Sequence, residues 1–217
     1  MPAANSKGWM RFYGVRFLLA VAAGLIVVSI FVLHLLWQSN FHVVSLGKVY
    51  RSGQMDVDNL RQIVQEHGIK TILNLRGPAE GTKGLWYNAE TNLSQELGVQ
   101  HIDFSLLAGH ELKDTEMEQI LETMSHAPKP ILIHCKSGSD RTGLVGALYL
   151  YSVEGKSADT AAGELSLFRG HVPYLFWRDT IAMDRSFWRF VSGHVQGGTL
   201  KANIAVAVAA PDGIEGR

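Results

Sequence analysis

The sequence predicts an α/β fold, with a central, mostly parallel sheet flanked by helices and one transmembrane helix ahead of it. Three observations carry this expectation. Short apolar runs alternate with segments of helical period through residues 48–194, the alternation that builds a parallel sheet. Glycines stand where two of the helical segments stop, as helix ends favour. A single long apolar stretch precedes all of them. Composition narrows the class further. The 217 residues hold 20 Lys+Arg and 20 Asp+Glu, and 47% are hydrophobic. Zero net charge excludes a typical nucleic-acid binder, and the apolar content excludes a disordered acidic chain. One cysteine, Cys135, excludes an intrachain disulfide framework.

In chain order, residues 1–16 read as a short N-terminus. Phe17–Trp37 then runs 21 residues without Asp, Glu, Lys or Arg. A helix of that length spans about 30 Å, the hydrocarbon thickness of a bilayer. The run exceeds the h-region of a signal peptide, and no small-residue cleavage pattern follows it. Lys7, Arg11 and Arg16 precede the span without any acidic residue, and only Lys48 and Arg51 lie close after it. By the positive-inside rule the N-terminus is expected in the cytoplasm and the rest of the chain on the far side, the periplasm in a bacterium. Residues 38–47 are expected as a linker, able to reach at most roughly 35 Å.

The folded domain is expected over residues 48–194. An extended stretch around Lys48–Arg51 leads to a helix from about Asp56, whose Leu60, Ile63, Val64 and His67 share a face and which Gly68 ends. Ile69–Arg76 reads as a buried strand, Gly77–Gly84 as a loop, and the following helical stretch ends at Leu97 before Gly98. Val99–Leu106 is a further strand. Thr115 and Glu118 have the spacing of a capping box, opening a helix with Met117, Ile120, Leu121 and Met124 inward. Pro130–Cys135 is a short apolar strand, and two or three helices complete the domain. Residues 195–217 read as a flexible tail, Gly/Ala-rich and closing on Ile-Glu-Gly-Arg, which resembles a protease-site linker.

The chemistry is concentrated in His134–Gly143, HCKSGSDRTG. A cysteine ends a buried strand, a Gly-containing loop follows, and Arg141 opens the next helix. Ligands of open α/β sheets bind at the carboxyl ends of the strands, where this loop falls. Successive N–H groups from Lys136, Ser137, Gly138, Ser139, Asp140 and Arg141 can form a concave anion nest, reinforced by the helix N-terminus. Arg141 adds a planar fork for two phosphate oxygens. The same positive environment favours the nucleophilic thiolate form of Cys135. A lone cysteine at a strand end is ordinarily a small buried hydrophobe; the spacing to Arg141 with Gly138 between sets this one apart. Lys136 is either a solvated loop residue or extra positive charge for a polyanion. Arg51 and Arg76, near strand ends, read as surface charges, with pocket lining the alternative. His171 and Arg178, among Tyr174, Phe176 and Trp177, read as core packing or a substrate-facing rim. The nine histidines show no ligand spacing, so no metal and no cofactor is expected.

His134, Cys135, Arg141 and Thr142 complete the signature His-Cys-five residues-Arg-Ser/Thr, by which the chain resembles the cysteine-dependent phosphatase superfamily. Val49–Gln54 (VYRSGQ) and Asn74–Arg76 (NLR) make it similar to the dual-specificity branch, in particular its atypical bacterial, plant and fungal members. The resemblance covers roughly residues 45–193. It implies a phosphocysteine intermediate on Cys135, oxyanion binding by Arg141 and the loop amides, a Thr142 hydrogen bond to the departing thiolate, and a His134 that orients the loop. It also implies a general acid. Asp103 has nearly the family's spacing before the cysteine, but within a strand; Glu111 lies in the following loop; Asp140 matches lipid-phosphate phosphatases and some secreted bacterial ones that end the loop Asp-Arg-Thr. These three, or an unassisted leaving group, stay open. So does the substrate, with a membrane lipid or lipid-linked phosphate preferred over a phosphoprotein. A rhodanese-like sulfurtransferase and a non-catalytic phosphate-binding module are the alternatives of another class.

Overall fold

A computed structural model of the chain describes residues 6–37, 39–81, 85–174 and 179–197. It divides into two compact units, Met1–Gln38 and Ser39–Arg217. The first is a helix, α1 (Ser6–Trp37), in which Tyr13–Ile30 has a mean hydropathy of 2.1 and is long and apolar enough to cross a membrane. Residues 7, 11 and 16, the basic flank, fall inside this helix.

The second unit is built on a five-stranded sheet in the order β1-β2-β5-β3-β4. Its strands are β1 (His42–Ser45), β2 (Val49–Ser52), β3 (Thr71–Asn74), β4 (Gln100–Asp103) and β5 (Ile131–His134). β1 pairs antiparallel with β2, and every other pairing is parallel. The α/β sheet is therefore mostly parallel. Ser52, His134, Asn74 and Asp103 stand level across it, so the chain leaves four neighbouring strands at one edge. β5 lies in the middle and is buried on both faces, which explains its unbroken apolar run.

Side-chain alternation along the strands divides the core. Val49, Leu73, Ile131 and Ile133 pack with α5 (Asp114–His126), α6 (Asp140–Ser152) and α8 (Ile181–Gly197). Tyr50, Ile72 and Leu132 pack on the other face with Leu60 and Val64 of α2 (Val57–His67) and Leu93 of α4 (Trp86–Leu97). Two short helices, α3 (Gly77–Gly81) and α7 (Ala158–Ala162), and a 3-10 turn at Leu167–Arg169 fill the connections. Asp56 caps α2 by accepting the Asn59 N–H at 2.9 Å.

Several boundaries differ from the sequence reading, each for a local reason. Residues 38–47 are not simply a linker, because His42–Ser45 adds an edge strand to β2. The segment read as a loop from Gly77 holds α3, and residues 82–84 lie outside the described residues. α5 starts earlier than the Thr115–Glu118 box implies: Glu116 reaches back to accept the Lys113 N–H at 2.7 Å, so the reciprocal contact is two residues upstream. α8 runs past His194 to Gly197. The remainder of the expected tail, 198–217, lies outside the described residues, as do Phe176, Trp177 and Arg178.

Phe187 of α8 is fully buried and meets Tyr151 of α6 edge-on at 6.2 Å. Phe187→Ala is expected to lower the stability of the domain by about 3–5 kcal/mol, measured by urea unfolding. A loss below about 1 kcal/mol would mean that α8 is not part of the cooperative core.

Candidate active site

The loop after β5 wraps around the N-terminus of α6, and its backbone can be accounted for group by group. Lys136 O accepts from Gln54 N at 3.1 Å. Ser137 O accepts from Asn40 Nδ2 at 3.1 Å, and Gly138 O from Arg51 Nη2 at 2.5 Å. Ser139 O accepts from the same Nη2 at 3.3 Å and from Gly143 N at 2.9 Å. Four successive carbonyls are thus engaged behind the loop. The N–H groups of Lys136 to Arg141 have no acceptor among the described residues. A curled segment with its carbonyls held outward and its amides unpaired is an anion nest, here at the positive end of α6.

Close packing enforces this curl. Gly138 has φ +70°, and a Cβ there would lie 2.4 Å from Gly53 N. Gly143, one turn into α6, approaches the Glu164 carbonyl so closely that a Cβ would sit 2.8 Å from its oxygen. That approach brings Glu164 to Arg51. The Arg51 Nη1 donates to the Glu164 carbonyl at 2.8 Å and to its carboxylate, while Nη2 holds the loop. Arg51 is fully buried, which corrects its reading as a surface charge. Burial pushes its guanidinium below the ordinary arginine value, and the Glu164 charge opposes that.

Cys135 is buried at the start of the loop. Arg141 directs Nη1 to Leu106 O at 3.1 Å, Leu75 O at 3.4 Å and Glu80 Oε2 at 2.9 Å. Its Nε is buried and unpartnered among the described residues, and Nη2 has no protein acceptor there either. One edge of the fork is thereby fixed and the other left for a bidentate oxyanion. Thr142 is fully buried with its hydroxyl unpartnered among the described residues. Lys136 and Ser137 are exposed; Gly138, Ser139 and Asp140 are buried.

His134 points to the opposite face of the sheet from Arg51. Its Nε2 lies 2.9 Å from Oε1 of Glu90 on α4, as does Nε2 of His101, and Gln54 donates to Oε2 at 2.7 Å. Burial pushes the Glu90 carboxyl up, but His134, His101 and Gln54 outweigh it and hold the group well below the usual carboxylate range. Glu90 therefore stays a carboxylate behind the loop. Arg76 is also more than a surface charge: it donates to Glu80 at 2.8 Å and Gln54 at 3.0 Å and lies 3.8 Å over Trp86.

The three expected proton donors are separated by their contacts. Asp103 ends β4 and accepts from Asn74 Nδ2 at 2.7 Å and from the Tyr87 hydroxyl at 2.5 Å. Glu111, ahead of α5, is exposed and pairs with Arg189 at 2.6 Å. Asp140 opens α6 beside Arg141, with Oδ1 2.7 Å from Nδ1 of His171. Glu90, Glu164, Asn40 and Asp184 were not among the expected site residues. Each reaches the site from a distant part of the chain, and no local motif marks it. Among the described residues, no group of three or more His, Cys, Asp or Glu is arranged to hold a metal ion.

Residues 37–164, more than half of the chain, match the model of the tyrosine phosphatase family. The chain belongs to this family and is a cysteine-dependent phosphatase. Comparison with curated proteins gave no match. Among solved structures it is similar to a variant of P. aeruginosa TpbA in complex with phosphotyrosine, at 19% identity over 80% of this chain and 92% of that chain, with a TM-score of 0.56. It is also similar to the core catalytic domain of the PP-IP phosphatase SIW14 from S. cerevisiae, in complex with citrate, at 21% identity, 76% and 93% coverage and a TM-score of 0.57. At these identities the likeness is one of fold. Membership of the family sets aside the sulfurtransferase and the bare binding module.

Arg51→Met leaves the buried Glu164 with only Arg169, 3.6 Å away, and removes the donor to Gly138 O and one of the two donors to Ser139 O. It is expected to cost about 3–5 kcal/mol in urea unfolding and to weaken inhibition by vanadate at least about tenfold. Adding Glu164→Gln should restore much of the stability but not the vanadate affinity. Recovery of both would mean that Arg51 does not shape the nest.

Proposed function

We propose that this phosphatase is tethered to a membrane by α1 and removes phosphate from a membrane lipid or lipid-linked headgroup through a phosphocysteine intermediate. The loop geometry carries the chemistry: carbonyls 136–139 are engaged behind it, while its amides and the Nε–Nη2 edge of Arg141 have no acceptor among the described residues. In this reading Cys135 attacks phosphorus in line, forming the S–P bond as the ester P–O bond breaks. The amides of Lys136 to Arg141 and the Arg141 fork hold the equatorial oxygens, most strongly in the transition state. Thr142, whose hydroxyl has no other partner among the described residues, donates to the thiolate as water cleaves the intermediate. His134, tied to Glu90, orients the loop. Asp140 is the general acid: both oxygens of Asp103 and of Glu111 are engaged by other side chains, whereas Asp140 opens α6 beside Arg141 and only its Oδ1 is engaged, by His171, among the described residues.

The membrane reading rests on α1 and its flank. Its apolar stretch is long enough to span a bilayer, and Lys7, Arg11 and Arg16 favour a cytoplasmic N-terminus. The catalytic domain then lies on the other side, periplasmic in a bacterium. Tethering raises the effective concentration of membrane phosphates over soluble ones. A phosphoprotein is the second reading, favoured by the phosphotyrosine complex of the TpbA variant.

The test uses the full chain in detergent or vesicles. Cys135→Ser should abolish turnover, and Arg141→Lys should lower kcat by about 10²–10³. Phosphate should be released from phosphorylated lipids in vesicles in preference to phosphotyrosine peptides. Release from the peptides and from none of a lipid panel would overturn the lipid assignment in favour of the phosphoprotein one.

A further inference from the structure

His171 follows the 3-10 turn and is 3% exposed. Its Nδ1 lies 2.7 Å from Oδ1 of Asp140 on α6, and its Nε2 lies 2.7 Å from Oδ2 of Asp184 on α8. These two carboxylates are the charged groups that face it among the described residues. An ionised carboxylate can only accept, so a ring bonded to one at each nitrogen must donate from both and is an imidazolium. Burial pushes the His171 pKa down, but the two carboxylates outweigh it and raise the value to about 9.

This geometry poses a chemical question for Asp140. A general acid must hold a proton, yet a carboxylate that accepts from an imidazolium holds none itself. The proton needed by the leaving group is nonetheless close at hand, on Nδ1. Asp140 Oδ2 has no partner among the described residues, so that carboxyl has one oxygen on His171 and one free.

We propose that His171 stores the proton that Asp140 delivers, with Asp184 holding the ring in place. The proposal rests on the reading of Asp140 as general acid. In the first half-reaction the Cys135 thiolate forms the S–P bond and the ester P–O bond breaks. As the phosphate dianion binds, Asp140 takes the Nδ1 proton, and the leaving oxygen then takes that proton from Asp140. His171 is left neutral, with its Nε2–H still donated to Asp184. In the second half-reaction water attacks phosphorus and gives a proton to Asp140, which returns one to Nδ1. The S–P bond breaks, and inorganic phosphate and the thiolate are released. A phosphate dianion beside Asp140 drives the first transfer, because adjacent negative charge favours the protonated carboxyl. His171 touches no reacting atom in this scheme; it is a positioning residue that acts through Asp140.

The experiment compares an alkyl phosphate with p-nitrophenyl phosphate, whose leaving group needs no proton, across pH 5–10 on the full chain. Wild type should lose alkyl phosphate turnover as pH rises through about 9, where the raised His171 pKa places deprotonation. His171→Gln should slow the alkyl substrate on the order of 10²-fold, change the aryl substrate little, and remove that limb. Asp184→Asn, which keeps an acceptor for Nε2, should move the limb toward the ordinary histidine range and tests the idea even where His171→Gln does not fold. Asp140→Asn separates the two claims. If it keeps full alkyl turnover, the general-acid assignment fails. If it slows the alkyl substrate while His171→Gln and Asp184→Asn leave the pH limb and the leaving-group dependence unchanged, the proton store alone is overturned.

Discussion

A loop can bind an oxyanion with its amides only if its carbonyls have somewhere else to go. Here that requirement is met chiefly by Arg51. One guanidinium, fully buried on β2, takes the Gly138 and Ser139 carbonyls with one nitrogen and Glu164 with the other. Gln54 and Asn40 take the two carbonyls before them. A buried ion pair of this sort is a poor source of net stability, because desolvating both charges offsets most of their attraction. Its value lies in fixing one conformation: without a donor at Gly138 O, a buried acceptor would be unsatisfied and the loop would relax.

Strand alternation then divides the supporting groups between the two faces of the sheet. Arg51 and Ile133 point toward α6 and α8, and His134 and Leu132 toward α2 and α4. The cysteine loop therefore leaves the sheet between two buried carboxylates, Glu164 on one side and Glu90 on the other. Glu164 holds the loop through Arg51, and Glu90 holds the strand end through His134. Neither could be replaced by a neutral isostere without leaving a buried polar partner unmatched. Gly143 completes the arrangement, since any side chain there would push α6 away from Glu164 and separate it from Arg51.

The parts legible in the sequence are those encoded locally. The loop occupies ten consecutive residues, and β3, β4 and β5 announce themselves as apolar runs between helical periods. β1 escaped because HVVS is short and lies at an edge, with only its pairing to β2 to define it. Arg51 read as a surface charge because its partner stands 113 residues away. Glu90 sits on the inward face of an ordinary amphipathic helix, where nothing in the spacing distinguishes it from a solvated glutamate. His171 is bonded across 31 residues to Asp140 and 13 to Asp184, and its aromatic neighbourhood suggests packing rather than proton chemistry. Side chains that support a reactive loop come from wherever the fold brings them, and only the loop itself is contiguous.

The same pairing confines the positive field of a domain that is acidic overall, since residues 38–217 carry 17 basic and 20 acidic side chains. Arg51 is matched by Glu164, and Arg76 and Arg141 share Glu80. The Arg141 contact engages only Nη1, so Glu80 positions the fork without occupying the edge that an oxyanion would use. Burial weakens the Glu80 carboxylate, but Arg141 and Arg76 outweigh it and hold the group below its ordinary value. Attraction for an incoming anion would therefore come from the unpaired amides, the end of α6, one edge of Arg141 and the exposed Lys136, all in the loop and the first turn of α6. Such a field falls off quickly with distance in salt. It suits one phosphate group presented at close range and offers little to a polyanion laid across the surface.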